Sequence, residues 1–219
     1  MRTPGPRASL WMAGAFLVSV LIAVGTLSHF GAGTKGTDIG LQLTARWSYG
    51  FFWLAYTGAP LATLFGSRFQ PVARRGRELG LAFAAAHLTH FSLVLWLYHI
   101  SATSPLATST AVFFGTALGF TYLLALLSIP ALAAAIPRWL WRAILIVGME
   151  VIALAFLSDF LRNPLGHGIS RLVEYLPFTT LAVAAALLRV AYYWTKRRGG
   201  LSPNRRAPPP GSRATAPAP

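Results

Sequence analysis

The sequence predicts an all-α, polytopic membrane protein: a bundle of six transmembrane helices with both termini on the cytoplasmic side. Of the 219 residues, 55% are hydrophobic and 11% are charged, and the mean hydropathy of +0.55 exceeds what a single soluble core requires. The apolar residues form six runs, each close to the ~20 residues that a helix needs to cross a bilayer. The basic residues between these runs are concentrated on alternate connections, which places most of them on one side of a membrane.

The predicted spans divide the chain into three parts. Arg2 and Arg7 precede an apolar run that is longer than a signal-peptide core and has no A-x-A cleavage site after it, so the first span is predicted to be retained. A cytoplasmic N-terminus over residues 1–8 is followed by one membrane domain over residues 9–197. Residues 198–219, rich in proline, glycine and arginine, are predicted to be a disordered cytoplasmic tail. The spans are predicted at residues 9–28, 47–65, 79–100, 110–135, 139–159 and 174–195.

The charged residues set the predicted orientation. When six spans are threaded alternately, most basic residues fall on one side, and the positive-inside rule makes that side the cytoplasm. The second span is the least regular, because it is short and contains Gly58 and Pro60. The predicted cytoplasmic set is Arg2, Arg7, Arg68, Arg74, Arg75, Arg77, Arg138, Arg142, Lys196, Arg197, Arg198, Arg205, Arg206 and Arg213, and the predicted outer set is Lys35, Arg46, Arg162 and Arg171.

The composition excludes several classes of function. Without cysteine the chain cannot form disulfides, thiolate metal sites, iron–sulfur clusters or a cysteine nucleophile. The formal charge of +14 is spread over short connections and the tail, so no nucleic-acid partner is expected. The tail arginines act either as a topology signal or as contacts for anionic headgroups, which makes membrane lipids the expected partner. Neither G-x-x-x-x-G-K nor G-x-S-x-G occurs, so a P-loop and a serine nucleophile elbow have no support.

Most other polar and aromatic residues are predicted to lie at the membrane interfaces. Amphipathic rings and isolated charges settle at the boundary between headgroups and hydrocarbon. This group contains His29, His99, His167, Asp38, Asp159 and Glu174, together with Trp47, Trp96, Tyr98, Trp139, Trp141, Tyr192, Tyr193 and Trp194.

Few ionisable residues fall deep inside the predicted spans. His87 and His90 lie on one face of the third span, about 13–18 Å from its cytoplasmic edge. Glu150 lies in the fifth span at a depth of about 12 Å. Because both spans run outward, the sequence predicts His87 and Glu150 at nearly the same level. Ionisable groups inside a membrane are costly unless paired, so these three residues are the candidate functional residues.

Three interpretations fit this His–Glu cluster. In the first, either histidine bonds Glu150 or a nearby hydroxyl and ties the helices together; the hydroxyls considered are Thr57, Thr89 and Ser92. In the second, a neutral imidazole ligates haem iron. In the third, the cluster relays protons or binds a divalent cation. An H-x-x-H spacing alone does not choose among them.

The segment that leads to the histidines carries a family resemblance. Arg74, Arg75 and the Leu79-Gly80-Leu81 step precede a small-residue apolar helix that ends in His87 and His90. This resembles the third helix of the ferric reductase-like transmembrane domain family, and the preceding Thr57-Gly58 fits the same pattern. In size the chain is similar to the haem-binding membrane subunits of methionine sulfoxide reductase systems, six-helix members without a flavin domain.

The resemblance implies a ligand set that this chain holds only in part. In the family, histidines of the third and fifth helices hold b-type haem; here His90, ten residues after Gly80, matches best, and His87 is the alternative. The fifth helix departs from the pattern, with Trp141 and Leu154 near the positions where the family has histidines.

The missing histidines leave two hypotheses open. Tryptophan and leucine cannot ligate iron, so a bis-histidine haem between these helices is excluded. Haem held by one histidine, alone or opposed by Glu150 or Met149, remains one hypothesis. A descendant that has lost haem remains the other.

The leading functional hypothesis is a ferric reductase-like component of a bacterial-type inner membrane. It passes electrons through haem b toward the outer face, from a redox partner protein or a quinone. His87 and His90 are the expected ligands, and Glu150 tunes or protonates the site. With no flavin or nicotinamide domain, the chain is at most an oxidoreductase membrane subunit, and no catalytic residue is assigned. The alternative is a haem-less scaffold or small transporter that uses the His–Glu cluster structurally or for protons.

Overall fold

The helix is the only regular secondary structure in the described part of the chain. The computed structural model describes the backbone of residues 6–165 and 169–200 and the side chains of residues 8–161 and 173–198, and it contains no strand within them. A short 3₁₀ turn, Ser67–Phe69, precedes α3. The helices are α1 (Pro6–Phe30), α2 (Thr34–Phe65), α3 (Gln70–Arg74), α4 (Gly76–Ile100), α5 (Thr108–Leu127), α6 (Pro130–Ala134), α7 (Arg138–Leu165) and α8 (Ile169–Gly200).

Five helices are long and apolar enough to cross a membrane, which supports the predicted multi-pass membrane character. The fourth predicted span, 110–135, is wrong beyond residue 127, because α5 ends at Leu127 and α6 begins at Pro130. Proline has no N–H to donate to a preceding turn, so it starts a new helix here. The five segments are Ala8–Phe30, Gly76–Ile100, Thr108–Leu127, Arg138–Leu161 and Val173–Arg198.

Helix α2 differs most from its prediction. It is one continuous helix of 32 residues, about 48 Å long, whereas the sequence predicted a span only from residue 47. Pro60 lies inside the helix without ending it. The helix contains charged and hydroxyl residues, so its apolarity alone does not mark it as a span. It packs against α1, α4 and α8, and its hydroxyls at Thr37, Thr44 and Ser48 are fully buried.

A glycine-rich turn joins α1 to α2. Residues 31–36, GAGTKG, have the spacing G-x-G-x-x-G, but they connect two helices rather than a strand and a helix. That spacing indicates dinucleotide binding only after a strand. Gly31 has φ +84°, a left-handed conformation that glycine adopts without a Cβ clash. These residues therefore form a tight connection, and they do not indicate a nucleotide site.

Small residues bring α1, α2 and α4 close together. Ala82 and Ala86 of α4 are 0% exposed, and Ser19 of α1 donates a 2.9 Å hydrogen bond to the Ala86 carbonyl. Trp47 of α2 donates to the Ala15 carbonyl at 3.0 Å. Such close backbone approach is how helices associate where apolar side chains gain little from leaving lipid. The tight packing fixes which face of α4 turns toward α2.

Aromatic residues join α2 to α7 and α8. The Tyr49 ring lies 4.8 Å from Phe156 and 4.9 Å from Phe160 between ring centroids, and Phe160 in turn contacts Phe178 of α8. Helix α4 packs closely against α1 and α2 but only loosely against α5. A cleft is therefore left between α4 on one side and α5 and α7 on the other.

Candidate functional site

The two histidines of α4 are held by α2. His87 Nδ1 lies 3.1 Å from Ser48 Oγ, and His90 Nδ1 lies 3.1 Å from the Leu41 carbonyl and 3.3 Å from Thr44 Oγ1. The rings stack on each other, with centroids 4.8 Å apart and planes at 25°. Thus the histidines do share one face, as predicted, but their hydroxyl partners are Ser48 and Thr44.

These contacts determine where the imidazole protons sit. A carbonyl only accepts, so His90 donates to Leu41 from Nδ1–H. The Ser48 hydroxyl donates a hydrogen bond to the Ala45 carbonyl, at 3.0 Å, so the Ser48 oxygen accepts from His87 Nδ1–H. Both neutral rings therefore carry the proton on Nδ1, which leaves the Nε2 lone pair without a partner among the described side chains. A histidine that ligates a metal through one ring nitrogen is usually oriented in this way, by a hydrogen bond from its other ring nitrogen.

Both histidines line a cavity in the cleft. The cavity has a volume of about 390 Å³, within the range of small-molecule sites. A second cavity of about 480 Å³ lies toward the predicted cytoplasmic side. Phe83, Thr121 and Ile152 line both, so these three side chains separate an outer cavity that contains the histidines from an inner cavity that does not.

The wall of the outer cavity formed by α5 and α7 has no histidine among the described residues. It presents Thr121 from α5 and Ile152, Ala155 and Phe156 from α7, and its carboxylate is that of Asp159, farther along α7. Within the described residues no group of three His, Cys, Asp or Glu side chains could hold a metal ion. Among the residues that the structure describes, α4 alone brings imidazole nitrogens to this cavity.

Glu150 belongs to a different cluster. Its carboxylate accepts hydrogen bonds from Tyr56 at 2.6 Å, from Arg189 Nε at 2.9 Å and from Tyr193 at 3.4 Å. The ring that contacts His87 on α7 is Phe156, six residues and about 9 Å beyond Glu150. The expectation that His87 and Glu150 lie level is therefore wrong, because α7 is shifted along its axis relative to α4.

Trp141 and Leu154, the α7 positions where the ferric reductase-like resemblance implies histidines, have different environments. Trp141 lines the inner cavity, as a ligand position would. Leu154 is 54% exposed and faces away from both cavities. Met149 lines the inner cavity, which contains neither histidine, so Met149 and either histidine lie in separate cavities.

Two arginines were missed by reasoning from sequence. Arg189 in α8 pairs with Glu150 and lines the inner cavity; an arginine alone in an apolar run is the signal that marks it. Arg46 was assigned to an outer connection, but it lies within α2 and lines the outer cavity. Small residues at Thr37, Gly40 and Thr44, spaced by three and four, continue the helix pattern before residue 47 and could have revealed this.

The other predicted residues take ordinary or new roles. Thr57 and Ser92 donate to carbonyls of their own helices, so neither binds a histidine. Glu174, predicted to be interfacial, forms an ion pair with Arg46 at 2.9 Å. His99 contacts Trp96, and His167 lies outside the described residues.

Comparison with known proteins gives no match to any family model, curated protein or solved structure. The ferric reductase-like resemblance therefore remains a prediction that rests on residues 57–90.

Proposed function

We propose that this chain is a ferric reductase-like membrane component that holds one haem through a histidine of α4 and passes electrons across the membrane. The observation that carries the proposal is that His87 and His90 line the outer cavity with their Nδ1 atoms already hydrogen-bonded to α2, which leaves Nε2 as the atom that can bind a ligand. Imidazoles whose Nδ1–H groups are already bonded are prepared to ligate a metal.

Helix α2 is the sixth span in this proposal. Its length of 32 residues is sufficient, and its polar side chains are covered by α1, α4 and α8. An even number of spans places both termini on one side, and the basic connections make that side the cytoplasm of a bacterial-type inner membrane. Shielding by other helices explains how a span with so many polar residues is tolerated.

Haem fits the donor set better than a bare ion does. A porphyrin supplies four nitrogens, so one imidazole is enough, whereas a bare cation needs further ligands that the described side chains do not bring together. Because the two rings are stacked on one helix, one of these histidines would hold the haem and the other would lie beside it.

Each part of the site has a role in this proposal. Bound haem supplies one-electron chemistry. His90, held by a backbone carbonyl, is the better oriented ligand, and His87 stacks beside it. Phe83 and Phe156 keep the cavity apolar. Glu150, bound by Arg189 and Tyr56, joins α2, α7 and α8 on the inner side. A redox protein or a quinone supplies the electrons in this proposal.

The test is the visible spectrum of the purified protein, oxidised and dithionite-reduced, after expression with ample haem. We expect a Soret band that shifts on reduction, weakens strongly in His90→Ala and disappears in the double variant with His87→Ala. His99→Ala, on the same helix but outside the cavity, is the matched control and keeps the band. A colourless wild-type protein that is folded by circular dichroism would refute the haem proposal.

The second candidate is a haem-less scaffold or small transporter. It is favoured by the Glu150 cluster, whose hydrogen bonds join three helices as interhelical contacts do. It is also favoured because α5 and α7 bring no histidine to the described part of the outer cavity. In this case the spectrum stays flat, and the histidine substitutions alter only thermal stability or the pH dependence of transport.

A further inference from the structure

Arg46 is a buried arginine at the level of the histidines. On α2 it lies between Thr44, which contacts His90, and Ser48, which contacts His87. Its side chain is only 11% exposed, and its Nη1 donates to Glu174 at 2.9 Å. The guanidinium also lies over two rings of α8, 4.6 Å from the Tyr175 centroid and 5.2 Å from the Phe178 centroid. The ion pair and the rings together hold this cation against α8.

One edge of this guanidinium has no partner. Nε and Nη2 are both buried and make no hydrogen bond in the structure. These two nitrogens form the edge whose parallel N–H groups match the two oxygens of a carboxylate. Burial also keeps water from supplying the missing bonds. Burying charged N–H groups without hydrogen-bond acceptors costs free energy. A bound acceptor would remove this cost, and the described residues provide none.

We infer that Arg46 is a recognition residue for the carboxylate of an apolar ligand that occupies the outer cavity. Arg46 and both histidines line that cavity, and its remaining walls are mostly aliphatic and aromatic. In this proposal the guanidinium keeps Nη1 on Glu174 and turns its two-donor edge toward the cavity when the ligand binds. The inference concerns the anionic end of the ligand, so it deepens the proposed function if the ligand is haem but does not depend on haem.

The charges favour a monoanion over a phosphate. Glu174 already neutralises part of the Arg46 charge, and Asp159 also lines the cavity. A phosphate would bring a second negative charge next to the Glu174 carboxylate, whereas a carboxylate brings one. A carboxylate needs only the two-donor edge that Arg46 leaves unused.

Two ligands share this chemistry and can be separated by probes. One is haem, through a propionate; the other is a fatty acid from the membrane. Protein in nanodiscs is titrated with haemin and haemin dimethyl ester, read by the Soret band, and with parinaric acid and its methyl ester, read by fluorescence. We expect at least one acid to bind about 10- to 100-fold more tightly than its ester, and the acid that does so identifies the source.

The variants assign that preference to Arg46. Arg46→Lys keeps the charge near Glu174 but lacks the two-donor edge, so the acid loses about the same 10- to 100-fold and the ester changes little. Arg189→Lys is the matched control, because Arg189 Nε is already bonded to Glu150 and lines the other cavity. If neither acid binds, if acid and ester bind alike, or if Arg46→Lys binds the acid as wild type does, the inference is overturned.

A further variant covers the case in which Arg46→Lys does not fold. Glu174→Gln keeps the arginine and removes the competing anion, so acid binding should tighten several-fold while ester binding stays constant. Unchanged acid binding in this variant also overturns the inference. The two proposals fail separately: absence of any haem spectrum refutes the haem proposal, whereas the fatty-acid titration still decides the role of Arg46.

Discussion

At the scale of single residues, the hydrogen bonds between α2 and the histidines of α4 determine which imidazole nitrogen carries the proton. The hydroxyls of Ser48 and Thr44 donate hydrogen bonds to backbone carbonyls, at 3.0 Å and 2.7 Å. Their oxygens therefore accept from the imidazoles. If the Ser48 hydroxyl donated to His87 instead, the His87 proton would lie on Nε2, and that nitrogen would have no lone pair for a ligand. The proton of His90 is held on Nδ1 by the Leu41 carbonyl.

The first prediction concerns the imidazole protons. In protein labelled with ¹⁵N-histidine and prepared without haem, both cavity histidines should show a protonated Nδ1 and an unprotonated Nε2. His87→Ala and His90→Ala assign the two signals. Equal protonation of both nitrogens, or an Nε2–H form, would contradict the hydrogen-bond network from which the ligand role is argued.

The second prediction concerns Ser48, which is fully buried. Ser48→Ala leaves the Nδ1–H of His87 without an acceptor, so the free energy of unfolding should fall by about 1–3 kcal/mol. Ser92→Ala, at an exposed serine of α4 that bonds only its own helix, should cost much less. The check is denaturant unfolding in matched detergent, and equal losses would argue against the His87–Ser48 bond.

The third prediction concerns the pair formed by Glu150 and Arg189. Replacing one partner leaves the other unpaired, and since the Glu150 side chain is 40% exposed we expect a loss of about 1–3 kcal/mol for either single variant. Glu150→Gln combined with Arg189→Met should cost less than the sum of the two changes. A double-mutant cycle measures this coupling, and strictly additive losses would mean that the pair contributes nothing.

At the scale of the elements, the α1–α4 contact depends on side-chain size. Ala86 is fully buried, and its carbonyl accepts from Ser19. Ala86→Leu should separate the two helices and lower the free energy of unfolding by about 1–3 kcal/mol. Ser92→Leu adds similar bulk to the exposed face of α4 and should be nearly neutral. If both variants unfold alike, α1 does not pack against this face.

Helix α2 shows why element boundaries were harder to predict than element existence. Its second half was predicted from its apolar residues. Its first half contains a lysine, an aspartate and an arginine, a composition typical of a connection between spans. The structure continues the helix through them because α1, α4 and α8 cover its polar stripe. Hydropathy along one helix does not record this cover by other helices, so it indicated only the apolar second half of α2.

At the scale of the whole molecule, the topology can be measured directly. The chain has no cysteine, so single substitutions give clean labelling sites at the exposed residues Lys35, Ser67 and Ser104. An impermeant maleimide added to intact cells should label Lys35→Cys and Ser104→Cys, and Ser67→Cys only after lysis. Labelling of positions 35 and 67 from the same side would show that α2 does not cross the membrane.

The sequence by itself determined the all-helical class, the membrane character and the common face of His87 and His90. Each of these depends on local composition or on the helical repeat, which a linear pattern records. Only the tertiary structure decided that Glu150 pairs with Arg189, that Arg46 lines the same cavity as the histidines, and that Leu154 faces outward. Those facts depend on how far each helix is shifted and rotated relative to its neighbours. Side-chain packing between helices sets that register, and hydropathy along one helix does not encode it.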